Sequence, residues 1–221
     1  MAATTGFRTM YPALIPPGAK HVNGVISAGP VADSEQVLAG AISSSLLSDF
    51  YVRVSGTSDL YGSVFENLPL PGHNGDYDNI VRAFLRLNCL TPAYGPLWEE
   101  ITGEPWAPST PIRNPLQRQR AQVEIDVSVG ILLGITEEEL CMIYRSQFPV
   151  MRKYDSKNTF DLHGRSVPDE ILKSLKSNEA QDSSLSWVHP QSGENYRFTA
   201  PFITFDREAE IRNVFDLLTS G

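Results

Sequence analysis

A chain of 221 residues, 41% apolar and 20% charged, is long enough for one large domain or two small ones and too apolar for a disordered polyelectrolyte. The net charge of −8 and a pI near 5.0 argue against a general nucleic-acid binder, since phosphate contacts dominate nonspecific affinity. They leave room for a base-reading module whose phosphate contacts come from elsewhere. No apolar run approaches the roughly 20 residues that cross a bilayer, and Met1 to Arg8 lacks a signal pattern, so a cytoplasmic chain with no membrane partner is expected.

Arg8 to Gly29 reads as extended chain, two strands around the Pro16-Pro17-Gly18 turn. Asp33 or Ser34 can cap a helix whose apolar and small residues, Val37, Leu38, Ala41, Ile42, Ser45, Leu46 and Phe50, share one face; it ends before Gly56. A polar loop follows at Gly56 to Asp59, and Leu68-Pro69-Leu70-Pro71-Gly72 is a rigid extended exit. Asp76 opens a helix running through Leu87, and Pro96 opens a short one to Ile101. Gly103 to Pro115 has too many prolines for a helix and is the natural internal boundary.

Leu116 to Leu133 reads as one long helix stopped at Gly134. Thr136 with Glu139 forms a capping-box pattern for the next helix, which Pro149 kinks or divides. Asp155 to Ser166 reads as a polar loop, Pro168 to Leu175 as a short helix, and Ser177 to Ser186 as polar and mobile. Asn195 to Phe205 alternates as a strand-pair edge, and Asp206 begins a last helix. The fold class expected is α+β and helix-dominant: a small strand-containing part over residues 1–104, then a mostly helical part over 105–221.

The chain carries little that could do chemistry. Cys89 and Cys141 sit in apolar helical contexts without a metal-ligating partner and read as buried free thiols. His21, His73, His163 and His189 are scattered among loops. No Gly-x-Gly pattern is present to cradle a cofactor, and Asn114-Pro115-Leu116-Gln117 reads as a loop-to-helix junction. Asp126 with Asp155 and Lys157 formally matches a metal-dependent nuclease, though Asp126 reads as helical. The candidates for reading DNA are Arg53, Ser55, Thr57 and Ser58 after the small-residue helix, and the basic group Arg113, Arg118 and Arg120. For each group the plainer alternative is pairing with nearby acids.

Five segments resemble the C-terminal region of large bacterial adenine-specific DNA methyltransferases, the type IIG restriction-modification enzymes and the methylases of BREX and DISARM phage defence. They are the stretch from Arg8 to Pro17; Leu38 to Pro71, with Ser43-Ser44-Ser45 and Asp49-Phe50-Tyr51-Val52-Arg53; Arg86 to Thr91 with Tyr94 and Leu97-Trp98; Glu124-Ile125-Asp126 followed by Tyr144 to Val150; and Pro201-Phe202 with Asp206 to Ala209. The resemblance implies a target-recognition region that follows a catalytic core and holds no catalytic residue, no metal and no cofactor of its own, S-adenosylmethionine belonging to that core. Its implied partners are double-stranded DNA, through the parent enzyme, and a methyltransferase domain in cis or trans. Met1 just ahead of the Arg8 segment implies a truncated gene, a split subunit or an excised fragment. The alternatives are an interaction module of a phage-defence complex that does not touch DNA, and a small autonomous nuclease. Apolar faces meant for a catalytic core imply self-association of the isolated chain.

Overall fold

The computed structural model describes residues 6–20, 25–27, 29, 31–56, 60, 62–71, 77–177 and 184–220. The architecture is α+β with helix dominant. Helix α1 (Asp33–Ser43) and α2 (Leu46–Val54) are followed by a single turn, α3 (Gly62–Glu66), then α4 (Asp78–Asn88) and α5 (Gly95–Thr102). After the proline-rich connector come α6 (Pro115–Leu132), α7 (Glu137–Gln147) and α8 (Pro149–Lys157). Strand β1 (Thr159–Phe160), α9 (Asp169–Ser177), β2 (Ser184–Val188), β3 (Asn195–Thr199), β4 (Ile203–Thr204) and α10 (Arg207–Thr219) complete the order.

Helix α6 is the centre. Val123 to Gly130 is buried apart from Glu124, and α4, α10, α1, α2 and α7 all pack on it, while Gln117 and Arg120 of the first half face solvent. A helix end buried on all sides belongs inside a core. Helix α1 lies so close to α4 that a Cβ on Gly40 would stand 2.9 Å from the Phe84 ring, and only glycine permits that approach. The main apolar cluster joins Val37, Leu46, Phe84 and Trp98 to Ile125, Leu140, Phe148 and Ile211. One core therefore spans the connector, which itself packs down: the Trp106 indole donates to the Cys89 carbonyl and the Ile112 amide to that of Arg86. The proline-rich segment divides the chain in composition and leaves the core undivided.

Several expectations are met in detail. Pro149 divides α7 from α8, Thr136 and Glu139 form a reciprocal capping box, and Asp206 caps α10 through the Ala209 amide. The expected first helix is two, bent by 66°. Ser44 turns its hydroxyl back to the Ala41 carbonyl, Ser45 caps α2 through the Ser48 amide, and the Leu46 amide is claimed by Asp126 at 2.7 Å. These side chains offer the backbone partners that helix continuation would otherwise supply. Neither Asp33 nor Ser34 caps α1, whose N-cap is Ala32 with no side-chain bond.

The strands expected at Asn195 to Phe205 are present as β3 and β4, whereas the pair expected before Gly29 is not found among the described residues. Residues 6–20 hold none, 21–24 lie outside the described residues, and all four described strands come after the connector. Antiparallel β1 and β4 pair Thr159 with Thr204 and Phe160 with Ile203. Strands β2 and β3 make a separate antiparallel ribbon running from Ser184↔Thr199 to Val188↔Asn195. Its inner side rests on a small cluster of Val167, Ile171 and Phe198. Residues 184–186, read from sequence as mobile, are thus half of a ribbon, and 178–183 lie outside the described residues. Among the described residues no single helix is long and apolar enough to cross a membrane.

Candidate functional site

The densest polar assembly is buried. Asp126 sits on α6 between Ile125 and Val127, 1% exposed. A lone carboxylate there would cost several kcal/mol, so partners must converge on it. Arg8 supplies Nη2 at 3.3 and 3.4 Å, the Leu46 amide and Gln122 add hydrogen bonds, and Arg207 Nη1 lies 4.0 Å away. Arg207, in the first turn of α10, grips Asp155 of α8 with two bonds, Nε at 2.7 Å and Nη2 at 3.2 Å. Tyr144 donates its hydroxyl to the same Asp155 at 2.8 Å. Burial and the adjoining carboxylate push the Tyr144 phenol far above its usual range, which keeps it a donor.

A second centre lies on α2. Both Asp49 oxygens accept the Thr9 amide at 3.0 Å, and Arg53 Nε joins at 3.2 Å. Arg53 also donates to the carbonyls of Gln147 and Gly6 and lies over the Phe148 ring at 4.3 Å. The adjacent Arg8 and Thr9 join the two centres, and the Ser44 carbonyl accepts from Arg8 and Gln122 of the first.

Such an arrangement fixes structure. Arg207 sits between the two carboxylates, where a metal-dependent nuclease would need a divalent ion. Lys157 is turned away to an exposed pair with Asp169 at 2.7 Å. Asp155, expected to open a polar loop, is helical and 2% exposed. Among the described residues no group of three or more His, Cys, Asp or Glu could hold a metal. Asn114 caps α6 through the Gln117 amide and donates to the His163 carbonyl, so its amide is committed and no cofactor cradle forms around it. Cys89 and Cys141 are buried free thiols, each pushed up to about 11 by burial.

The sequence-chosen DNA contacts fall into separate surroundings. Arg53 is consumed by Asp49 and three backbone carbonyls counting that of Phe7, and Ser55 closes α2 with its hydroxyl on the Val52 carbonyl. Thr57 and Ser58 lie outside the described residues. Arg118 donates to the Ile112 and Leu87 carbonyls, and Arg113 to that of Leu90. Arg120 stands 3.5 Å from Glu210, half exposed. Arg53 therefore staples α2 to the N-terminal segment and α7, whereas Arg118 staples α6 to the connector and α4. Of the five described residues, Ser55, Arg113 and Arg120 stay reachable from solvent without opening the fold.

Sequence reasoning missed Arg8, Asp49 and Arg207 as a system. The available signal was an acid inside an apolar helical run, Asp49 after Leu46-Leu47 and Asp126 among Val123, Ile125 and Val127, which demands a buried cation from a distant segment. No protein-family model, curated protein or solved structure matches this chain.

Proposed function

We propose that this chain is the non-catalytic target-recognition and scaffold region of an N6-adenine DNA methyltransferase, acting with a catalytic domain supplied in cis or trans. One observation carries the reading. The five segments that resemble such enzymes, far apart in sequence, converge on one packed system. The first gives Arg8 and Thr9; the second gives the Ser44 carbonyl, Asp49 and Arg53; the fourth gives Asp126, Tyr144 and the Gln147 carbonyl; the last gives Arg207. The third fixes the first again, Asn88 accepting the Leu14 amide and Tyr94 donating to the Leu14 carbonyl. A pattern shared because it frames a scaffold is expected to meet in space in this way. The catalytic domain would hold S-adenosylmethionine.

The test is genome-wide mapping of N6-methyladenine in the native host with and without this gene. Loss of one methylated motif is expected on deletion; an unchanged map sinks the proposal.

A second reading, an interaction module of a phage-defence complex without DNA contact, is favoured by the commitment of Arg53 and Arg118 to backbone carbonyls. Joint Arg113→Ala and Arg120→Ala substitution separates the two. Reduced methylation supports a phosphate contact by these arginines, and full methylation favours the second reading.

A further inference from the structure

We infer that the outward face of the β2–β3 ribbon enters the major groove of the target duplex, with Asn195 and Arg197 reading base edges; this rests on the DNA-recognition reading above. The register pairs Ser186 with Arg197 and Val188 with Asn195, and all four side chains are exposed on the outward face. The other face is spoken for. Leu185 and Phe198 belong to the cluster with Val167 and Ile171, Trp187 donates to Glu170, and the rings of Trp187, His189 and Tyr196 pack at 5.2 to 6.3 Å.

Charge sorts the same way. Among the described residues, Glu170 is held from the inner face by Trp187, Glu194 by the Tyr196 hydroxyl at 2.9 Å, and Asp161 is buried beneath the ribbon on the Thr199 amide. The outward pairs carry one cation and no carboxylate, in a chain whose net charge is −8. Arg197 rests its Nε on the Ser184 hydroxyl at 2.9 Å, and among the described residues its other two nitrogens meet no hydrogen-bond partner.

Size and chemistry fit duplex DNA. Strands about 4.8 Å apart, with their side chains, match a major groove about 12 Å wide. Arginine pairs with guanine, asparagine with adenine, serine with either purine, and an apolar group with the thymine methyl, and this face presents all four kinds. The base of the ribbon is rigid. Arg165 donates to the Arg197 carbonyl and is gripped by Asp161, which also accepts the Thr199 amide. Readout needs such preorganised support.

The experiment uses the native host complemented with the wild-type gene, with Asn195→Ala or with Arg197→Ala, mapping N6-methyladenine in each. Each variant is expected to methylate sequences differing from the motif at one position, with at least about a tenfold loss of discrimination there. Methylation at new sequences cannot arise from misfolding. An unchanged motif, whether at full or reduced level, overturns the inference, the reduced level pointing to a protein partner on this face. Should gene deletion erase the motif while both variants keep it unchanged, only the ribbon inference falls. Should deletion leave the map untouched, the functional reading falls as well.

Discussion

Arg207 is the cation of the buried Asp155, whereas Asp126 keeps Arg8 whatever happens to Arg207. Arg207→Met is expected to cost about 3–5 kcal/mol, read from urea unfolding, because unpaired buried charge remains at Asp155. Tyr144→Phe deletes one bond to Asp155 and is expected to cost about 1–2 kcal/mol; no change would mean that the carboxylate is satisfied without it. Asp161 gives a pH signature. Burial raises its pKa, but bonds from Arg165 and from the Arg165 and Thr199 amides outweigh that and hold it below the ordinary aspartate value. A depressed carboxylate stabilises fully above its unfolded value and loses that contribution as pH falls through the folded one. The amides of Arg165 and Thr199 are therefore expected to lose hydrogen-exchange protection below about pH 4, ahead of the α6 core. At this scale the sequence shows which residues are charged but not which are buried. Arg53 and Arg118 look like surface contacts until distant carbonyls are seen to take their donors.

Elements were more legible, because capping and proline chemistry are local. The Thr136 capping box, the division at Pro149 and the Asp206 cap follow from a few adjacent residues. The break at Ser44-Ser45 was hidden, since its cause includes Asp126, 80 residues from Leu46. Strand β2 was hidden too, because Ser184 and Ser186 look like loop until β3 is known to pair with them. Gly164 offers a sharp test. It has a φ of +73°, and a Cβ there would stand 2.5 Å from Asn114 Oδ1, the atom that caps α6. Gly164→Ala is expected to cost more than about 1 kcal/mol and to fray the first turn of α6, seen as faster exchange at the Gln117 amide.

Across the whole molecule the connector marks no seam in stability. Cys89 precedes it and Cys141 follows it, yet both belong to one apolar cluster and both thiols are pushed up to about 11 by burial. Alkylation in rising urea is expected to modify the two together, at one midpoint. Separate midpoints would restore two independent domains. Exposed apolar side chains run the length of the chain, from Tyr11 and Ile15 to Leu217 and Leu218, and analytical ultracentrifugation tests the expected self-association.

The pairing of Asp155 with Arg207 also bears on how the protein is made. The arginine follows its carboxylate by 52 residues, and at about 5–20 residues per second a ribosome needs roughly 3–10 s to bring it out. During that interval the nascent α8 presents Asp155 with no arginine to close over it, while Asp126 of α6 already has Arg8. The centre of the molecule locks only when α10 emerges, so a stalled or nicked chain lacking that helix is left open to quality-control proteases.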